Sequence, residues 1–179
     1  MRVSGEKGPI GDWERLRQSY RPTLTRMLFV GESRPANGTF FYAGDSILHD
    51  AIRDGFLPTC QGFGGIGFLS YFAKLGCYVE DLCPEPVNQW KIRDPRRLAA
   101  RDAGEAALAV RLTGLEPAVV VLVMKAIVPN VQRALSAATI ASPVHALPFP
   151  GRPRHRETFV RNLSQIVAEF QRRNGFLGS

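Results

Sequence analysis

Apolar residues in this chain follow two patterns. Some form short unbroken runs, and others recur every three or four positions over longer stretches. The runs at 27–30 (MLFV), 78–82 (YVEDL), 117–124 (PAVVVLVM) and 143–147 (PVHAL) predict four strands. The third is β-branched and uninterrupted, as expected of a strand covered on both faces. Helical spacing predicts a polar amino-terminal helix within 11–25, with Trp13, Leu16 and Tyr20 on one side and a stop near Pro22. Further helices are predicted over 45–54, capped by Asp45, over 68–75 and over 127–138. The stretch 95–112 reads as a helix with Ala-rich packing positions and Arg on its outer face. A closing amphipathic helix turns Phe159, Leu163, Ile166, Val167 and Phe170 inward. Strands alternating with helices predict a three-layer α/β/α sandwich around a central, mainly parallel, four-stranded sheet.

One domain over 1–179 is expected, with 1–25 as an amino-terminal helical extension. No repeat or low-complexity segment interrupts it. The 23 Lys and Arg exceed the 16 Asp and Glu, for a formal charge of +7, which is the field expected around a polyanionic partner. The excess is concentrated after Gly151, where Arg152, Arg154, Arg156, Arg161, Arg172 and Arg173 meet only Glu157 and Glu169. Cys60, Cys77 and Cys83 are unevenly spaced and form no C-x-x-C, which excludes a disulfide framework and points to a reducing cytoplasm. No signal-like or membrane-spanning apolar segment is visible, so a cytoplasmic monomer without membrane contact is expected.

The chemistry concentrates where the first strand ends. Gly31 opens a polar loop carrying Glu32, Ser33, Arg34 and Asn37, followed at once by Phe40, Phe41 and Tyr42. Ligands of open α/β sheets bind at the carboxyl edge of the strands, and flat apolar surface beside polar groups suits a planar heterocycle. Taken singly, each aromatic also reads as a core residue of the next segment. Glu32 could equally be a cap or a partner for Arg34, and Asn37 before Gly38 is a common turn pair. The turn GFGGIG at 62–67 matches neither a dinucleotide fingerprint nor a P-loop and reads as a connection.

Four segments taken in order resemble the uracil-DNA glycosylase superfamily: GESRPANGTFFYAGDSIL at 31–48, YVEDLCPEPVNQ at 78–89, GLEPAVVVLVMKAIVPNVQRAL at 114–135 and LPFPGRPRHRETF at 147–159. The resemblance implies a DNA glycosylase that flips a damaged or modified base from the stack and hydrolyses its N-glycosidic bond. It assigns Phe41 to stack on the base, with Tyr42 or Phe40 closing the pocket or packing beneath it. Glu32 would orient water and balance the sugar cation, with Asn37 as second candidate. Ser33 stands where well-studied members carry Asp or Asn, and Asp81 falls where they read the base with Asn. An ionised Asp only accepts hydrogen bonds, which favours a base with an exocyclic amine, such as a cytosine derivative. A group at C5 would be received by the 62–67 turn or near Tyr42. The superfamily's loop histidine is replaced near Pro148 and Phe149, and His155 follows it.

The same loop fits DNA binding. Phe149 or Arg152 can fill the gap left by a flipped base, and Gly151, Arg154, His155 and Arg156 lie where phosphates of duplex or single-stranded DNA, with Arg34, would be held. Cys83 lies near a cluster-ligand position of the thermophile branch, but its partner cysteines are lacking, so neither an iron-sulfur cluster nor another metal or cofactor is expected. Two rivals remain. One is a catalytically inactive binder of modified DNA. The other is an SGNH-type esterase using Ser46 of Gly44-Asp45-Ser46, although no aspartate stands three residues before His145 or His155.

Overall fold

The computed structural model describes residues 10–60 and 62–174, so the first nine residues of the expected extension lie outside it. Four strands, β1 (Met27–Gly31), β2 (Cys77–Asp81), β3 (Val119–Leu122) and β4 (Val144–Ala146), form a sheet in the order β2-β1-β3-β4. Every pairing is parallel, with Met27 opposite both Cys77 and Val119, and Val120 opposite Val144. The described residues also hold six α-helices: α1 (Ile10–Ser19), α2 (Ile47–Phe56), α3 (Phe68–Lys74), α4 (Pro95–Leu115), α5 (Val128–Ala137) and α6 (Pro153–Asn174). None is long and apolar enough to cross a membrane.

Met27, Leu28, Phe29 and Val30 have no solvent exposure, as the uninterrupted apolar run requires of a central strand. Phe29 meets the rings of Phe56 on α2 and Phe72 on α3. The chain steps from β1 to β2 in one direction, then returns past β1 to β3 and on to β4. Right-handed crossovers then assign α2 and α3 to one face and α4 and α5 to the other. The packing agrees, since α2 pairs with α6 and α4 pairs with α5. This is the expected α/β/α sandwich.

Two local expectations are corrected. Ser46, not Asp45, caps α2, its hydroxyl accepting the His49 N–H at 3.1 Å. Asp45 instead accepts the Phe40 N–H at 2.7 Å and closes the aromatic loop behind it. The second correction concerns α4, whose buried face runs Arg97, Arg101, Gly104, Leu108, Leu112 and Leu115. Its two arginines therefore begin the inward stripe, while Leu98 is 42% exposed.

Helix α4 packs tightly on the residue after β2 at Gly104, where a Cβ would run into the backbone carbonyl of Leu82. Backbone cannot rotate aside as a side chain can. Gly104→Ala is therefore expected to destabilise the fold by about 1–3 kcal/mol, as overpacking does. Urea denaturation would read this as a lowered midpoint at unchanged slope, and an unchanged midpoint would mean α4 shifts freely.

Candidate functional site

In the order β2-β1-β3-β4 the crossovers reverse direction around β1 and β3, and an open sheet binds its ligand at such a point. A cavity of about 260 Å³ lies there. Its wall takes Gly31, Glu32, Ser33 and Arg34 from the end of β1, Asp81 and Asn88 from β2 and its loop, Val123 and Met124 after β3, and Phe149 after β4. Arg17, Arg97, Asn37, Asp45, Ser46 and the rings of Phe40, Phe41 and Tyr42 also line it. Ligand pockets start near 300 Å³ for drug-sized molecules, so this one suits a ligand about as large as a nucleobase.

Glu32 is 7% exposed and committed to two partners. Arg97 donates to both its oxygens, Nε at 2.8 Å from Oε1 and Nη2 to Oε2. Arg101 Nε adds a bond to Oε1 at 2.6 Å. Burial alone would raise the Glu32 pKa, but these hydrogen bonds outweigh it and hold the carboxyl below its ordinary range. A carboxylate held ionised in this way is a poor proton acceptor. Its negative charge is also outnumbered by two guanidiniums. Nearby, burial, with Glu32 adding to it, pushes the Cys83 thiol up to about 11.

The aromatics form the inner wall as a packed unit. Phe41 is 4% exposed and meets Tyr42, His49 and Phe72 in edge or tilted contacts. Tyr42 caps the outer edge of the sheet. Val79 N–H donates to its hydroxyl at 2.7 Å, and that hydroxyl donates to the Val79 carbonyl at 3.1 Å. Tyr20 stacks on its ring. Phe41 and Tyr42 are thus core residues that also line the cavity.

Among the polar groups, several are occupied with local structure. Ser33 Oγ accepts the Val87 N–H at 3.1 Å and fixes the β2 loop. Asn37 Oδ1 accepts from both the backbone and the hydroxyl of Thr39, an Asx turn. Ser46 is spent on its helix cap, and among the described residues no histidine ring hydrogen-bonds to it. Arg34 lies 5.5 Å over the ring of Trp13.

Other groups keep spare capacity. Asp45 lines the cavity and bonds only through Oδ1, leaving Oδ2 without a partner among the described residues. Asn88 accepts the Ala36 N–H through Oδ1, which leaves its amide N–H groups for a ligand. Asp81 bonds Arg17 through Oδ2 at 3.0 Å, while Oδ1 lies against Gly31, where a Cβ would come within 2.7 Å of it. Burial raises the Asp81 pKa, more than Arg17, Arg111 and Arg34 lower it. Arg17 also bonds Glu80 at 2.8 Å, and its Nε is buried without a hydrogen-bond partner.

On the far side of the cavity, Phe149 is 42% exposed. Gly151, Arg152, Arg154 and His155 follow it on the surface, with the side chains of Arg152, Arg154 and His155 unpartnered among the described residues. Arg156 is the exception in that group, bonding Asp54 at 2.5 Å and joining α6 to α2. The 62–67 turn does not line the cavity. It borders a separate depression with His49 and Arg53, so it is not placed to receive a group on the same ligand.

Arg17, Asn88 and Arg97 were missed by the sequence reading. Arg17 shares the helical stripe of Trp13 and Tyr20, and Arg97 that of Gly104 and Leu108, so periodicity could have shown both to face inward. No protein-family model and no curated protein matches the chain.

Glu32→Gln leaves Arg97 and Arg101 buried beside a neutral amide, and breaking a buried pair costs about 3–5 kcal/mol. Denaturation at pH 7 is expected to show a loss of that size. Because the native pKa of Glu32 is lowered, the stability it contributes is present above its ordinary value of 4.5 and fades as pH falls through the native one. Asp81 and Glu80, raised by burial, act in the opposite sense. The difference between wild type and Glu32→Gln isolates the Glu32 part and should shrink between pH 6 and pH 3. A pH-independent difference would mean the carboxylate charge does not matter.

Proposed function

We propose that this protein is a DNA glycosylase that receives a flipped, damaged or modified base in the cavity and hydrolyses its N-glycosidic bond. The observation that carries the reading is a base-sized cavity walled by Phe40, Phe41 and Met124, with one free carboxylate oxygen on each of Asp45 and Asp81 and the unpartnered Arg152 and Arg154 at the start of α6. The resemblance of 31–48, 78–89, 114–135 and 147–159 to the uracil-DNA glycosylase superfamily points the same way.

Glu32 acts here as a fixed anchor, and the water-orienting role passes to Asp45. Its free Oδ2 can accept a proton from the water attacking C1′ of the sugar, as the bond from C1′ to the base breaks and the electron pair leaves with the base. Asn88 can donate to a carbonyl of the bound base. Arg17 changes the argument about specificity. Asp81 alone would repel the O4 of uracil, but Asp81 and Arg17 together offer an acceptor beside a donor. That pair is matched by uracil, through N3–H and O4, as well as by cytosine derivatives, through the exocyclic amine and N3.

The test uses duplex oligonucleotides holding uracil, hypoxanthine, hydroxymethylcytosine or its glucosylated form, scored for alkali-labile abasic sites. The wild type is expected to cut at least one of them, and Asp45→Asn to cut it about a hundredfold more slowly while binding DNA equally well. Asp81→Asn should change the preference between uracil and cytosine derivatives. Binding without any abasic site would favour the second reading, a non-cleaving binder of modified DNA, which the saturation of Glu32 by two arginines supports.

A further inference from the structure

In an all-parallel sheet every strand-to-helix loop leaves from the same edge. Here that edge carries basic residues well beyond the 152–156 cluster. The β2 loop carries Lys91 and Arg93, the first turn of α4 carries Arg96, and Lys125 follows β3. Arg96 is engaged, bonding Asp94 at 2.8 Å and lying 5.3 Å over the ring of Trp90. Lys91 and Arg93 are exposed, and their side chains have no partner among the described residues.

The segment holding them is tied to the cavity at both ends. Asn88 and Arg97 both line the cavity wall, and Arg97 Nη1 donates to the Trp90 carbonyl at 2.6 Å. The segment 152–155, which runs into the start of α6, is tied to the cavity at one end, through Phe149. These two basic segments follow β2 and β4, the outer strands of the sheet, while the cavity opens between them around β1 and β3. Three strand spacings separate β2 from β4, roughly 14 Å at about 4.8 Å each. At about 3.4 Å of rise per nucleotide on one strand, that spans about four nucleotides.

We propose that Lys91 and Arg93 form a second phosphate-binding rim, opposite Arg152 and Arg154, so that the nucleic-acid backbone is held on both flanks of the nucleotide entering the cavity. This rests on the DNA-binding half of the function proposed above. Phosphate contacts position the strand without reading its sequence. A grip on both sides resists the backbone recoil that would return a flipped nucleotide to the stack.

The test measures fluorescence anisotropy of a labelled 20-base-pair duplex over a salt series for wild type, Lys91→Ala/Arg93→Ala, Arg152→Ala/Arg154→Ala and, as control, Arg172→Ala. Arg172 lies near the far end of α6, roughly 28 Å along the helix axis from its start. Each rim variant should bind more weakly and lower the slope of log affinity against log salt by about 1.8, at 0.9 per phosphate lost. The control should match wild type. A Lys91→Ala/Arg93→Ala slope equal to that of wild type overturns the second rim, as would equally tight binding of poly-L-glutamate, which carries charge without phosphodiesters. Scoring abasic sites on the same DNA separates the two claims. A reduced slope without excision supports the rim and not the glycosylase, whereas excision with an unchanged slope does the reverse.

Discussion

The ion cluster of Glu32 with Arg97 and Arg101 is the constraint on which the site depends. It joins the residue after β1 to the first turns of α4, 65 and 69 residues further along the chain. All three side chains are at least nine-tenths buried, where charges are tolerated only if paired and hydrogen-bonded. The pair therefore fixes the β1 loop and the α4 start relative to each other and forms the wall between them. Close packing of Gly104 on Leu82 holds the same helix one turn further in.

A second set of contacts anchors the opposite wall. Tyr42 satisfies the free backbone groups of Val79 on the edge strand, and Tyr20 stacks over it. Arg17 then reaches from α1 to Glu80 and Asp81. The helix that sequence alone marks as an extension thus supplies part of the cavity wall. Buried charges at this site are mostly matched within the protein. Among the described residues, groups with spare hydrogen-bonding capacity at this site include Asp45, Asp81 and Asn88, and Arg152 and Arg154 are exposed without partners.

Much of the scaffold was legible. The run at 117–124 was read as a strand covered on both faces, and β3 (Val119–Leu122) lies inside it between β1 and β4. The closing helix turns Phe159, Leu163, Val167 and Phe170 inward as expected, with Ile166 at the margin of the core. The carboxyl-edge position of 31–42 was also legible, because a strand ending in glycine before a polar loop can present that loop nowhere else in a parallel sheet. The outer-face reading of Arg97 and Arg101 failed because charge was taken to imply solvent. The helical phase, which they share with Leu108 and Leu112, gave the opposite answer.

Sequence by itself determined the fold class, the order of the elements and the edge at which the polar loops gather. These follow from local periodicity, and each apolar run needs only its own neighbours to declare its period. Only the tertiary structure decided which charges are spent and which are free. Whether Glu32 pairs with Arg34 or with another group could not be read from its neighbours, and its partners are two arginines of a distant helix, while Asp45 looked like a helix cap until Ser46 was found in that role. The physical reason is that an ion pair or a cap depends on a partner's position in space. Residues some 65 apart in sequence carry no periodic signal that they will meet.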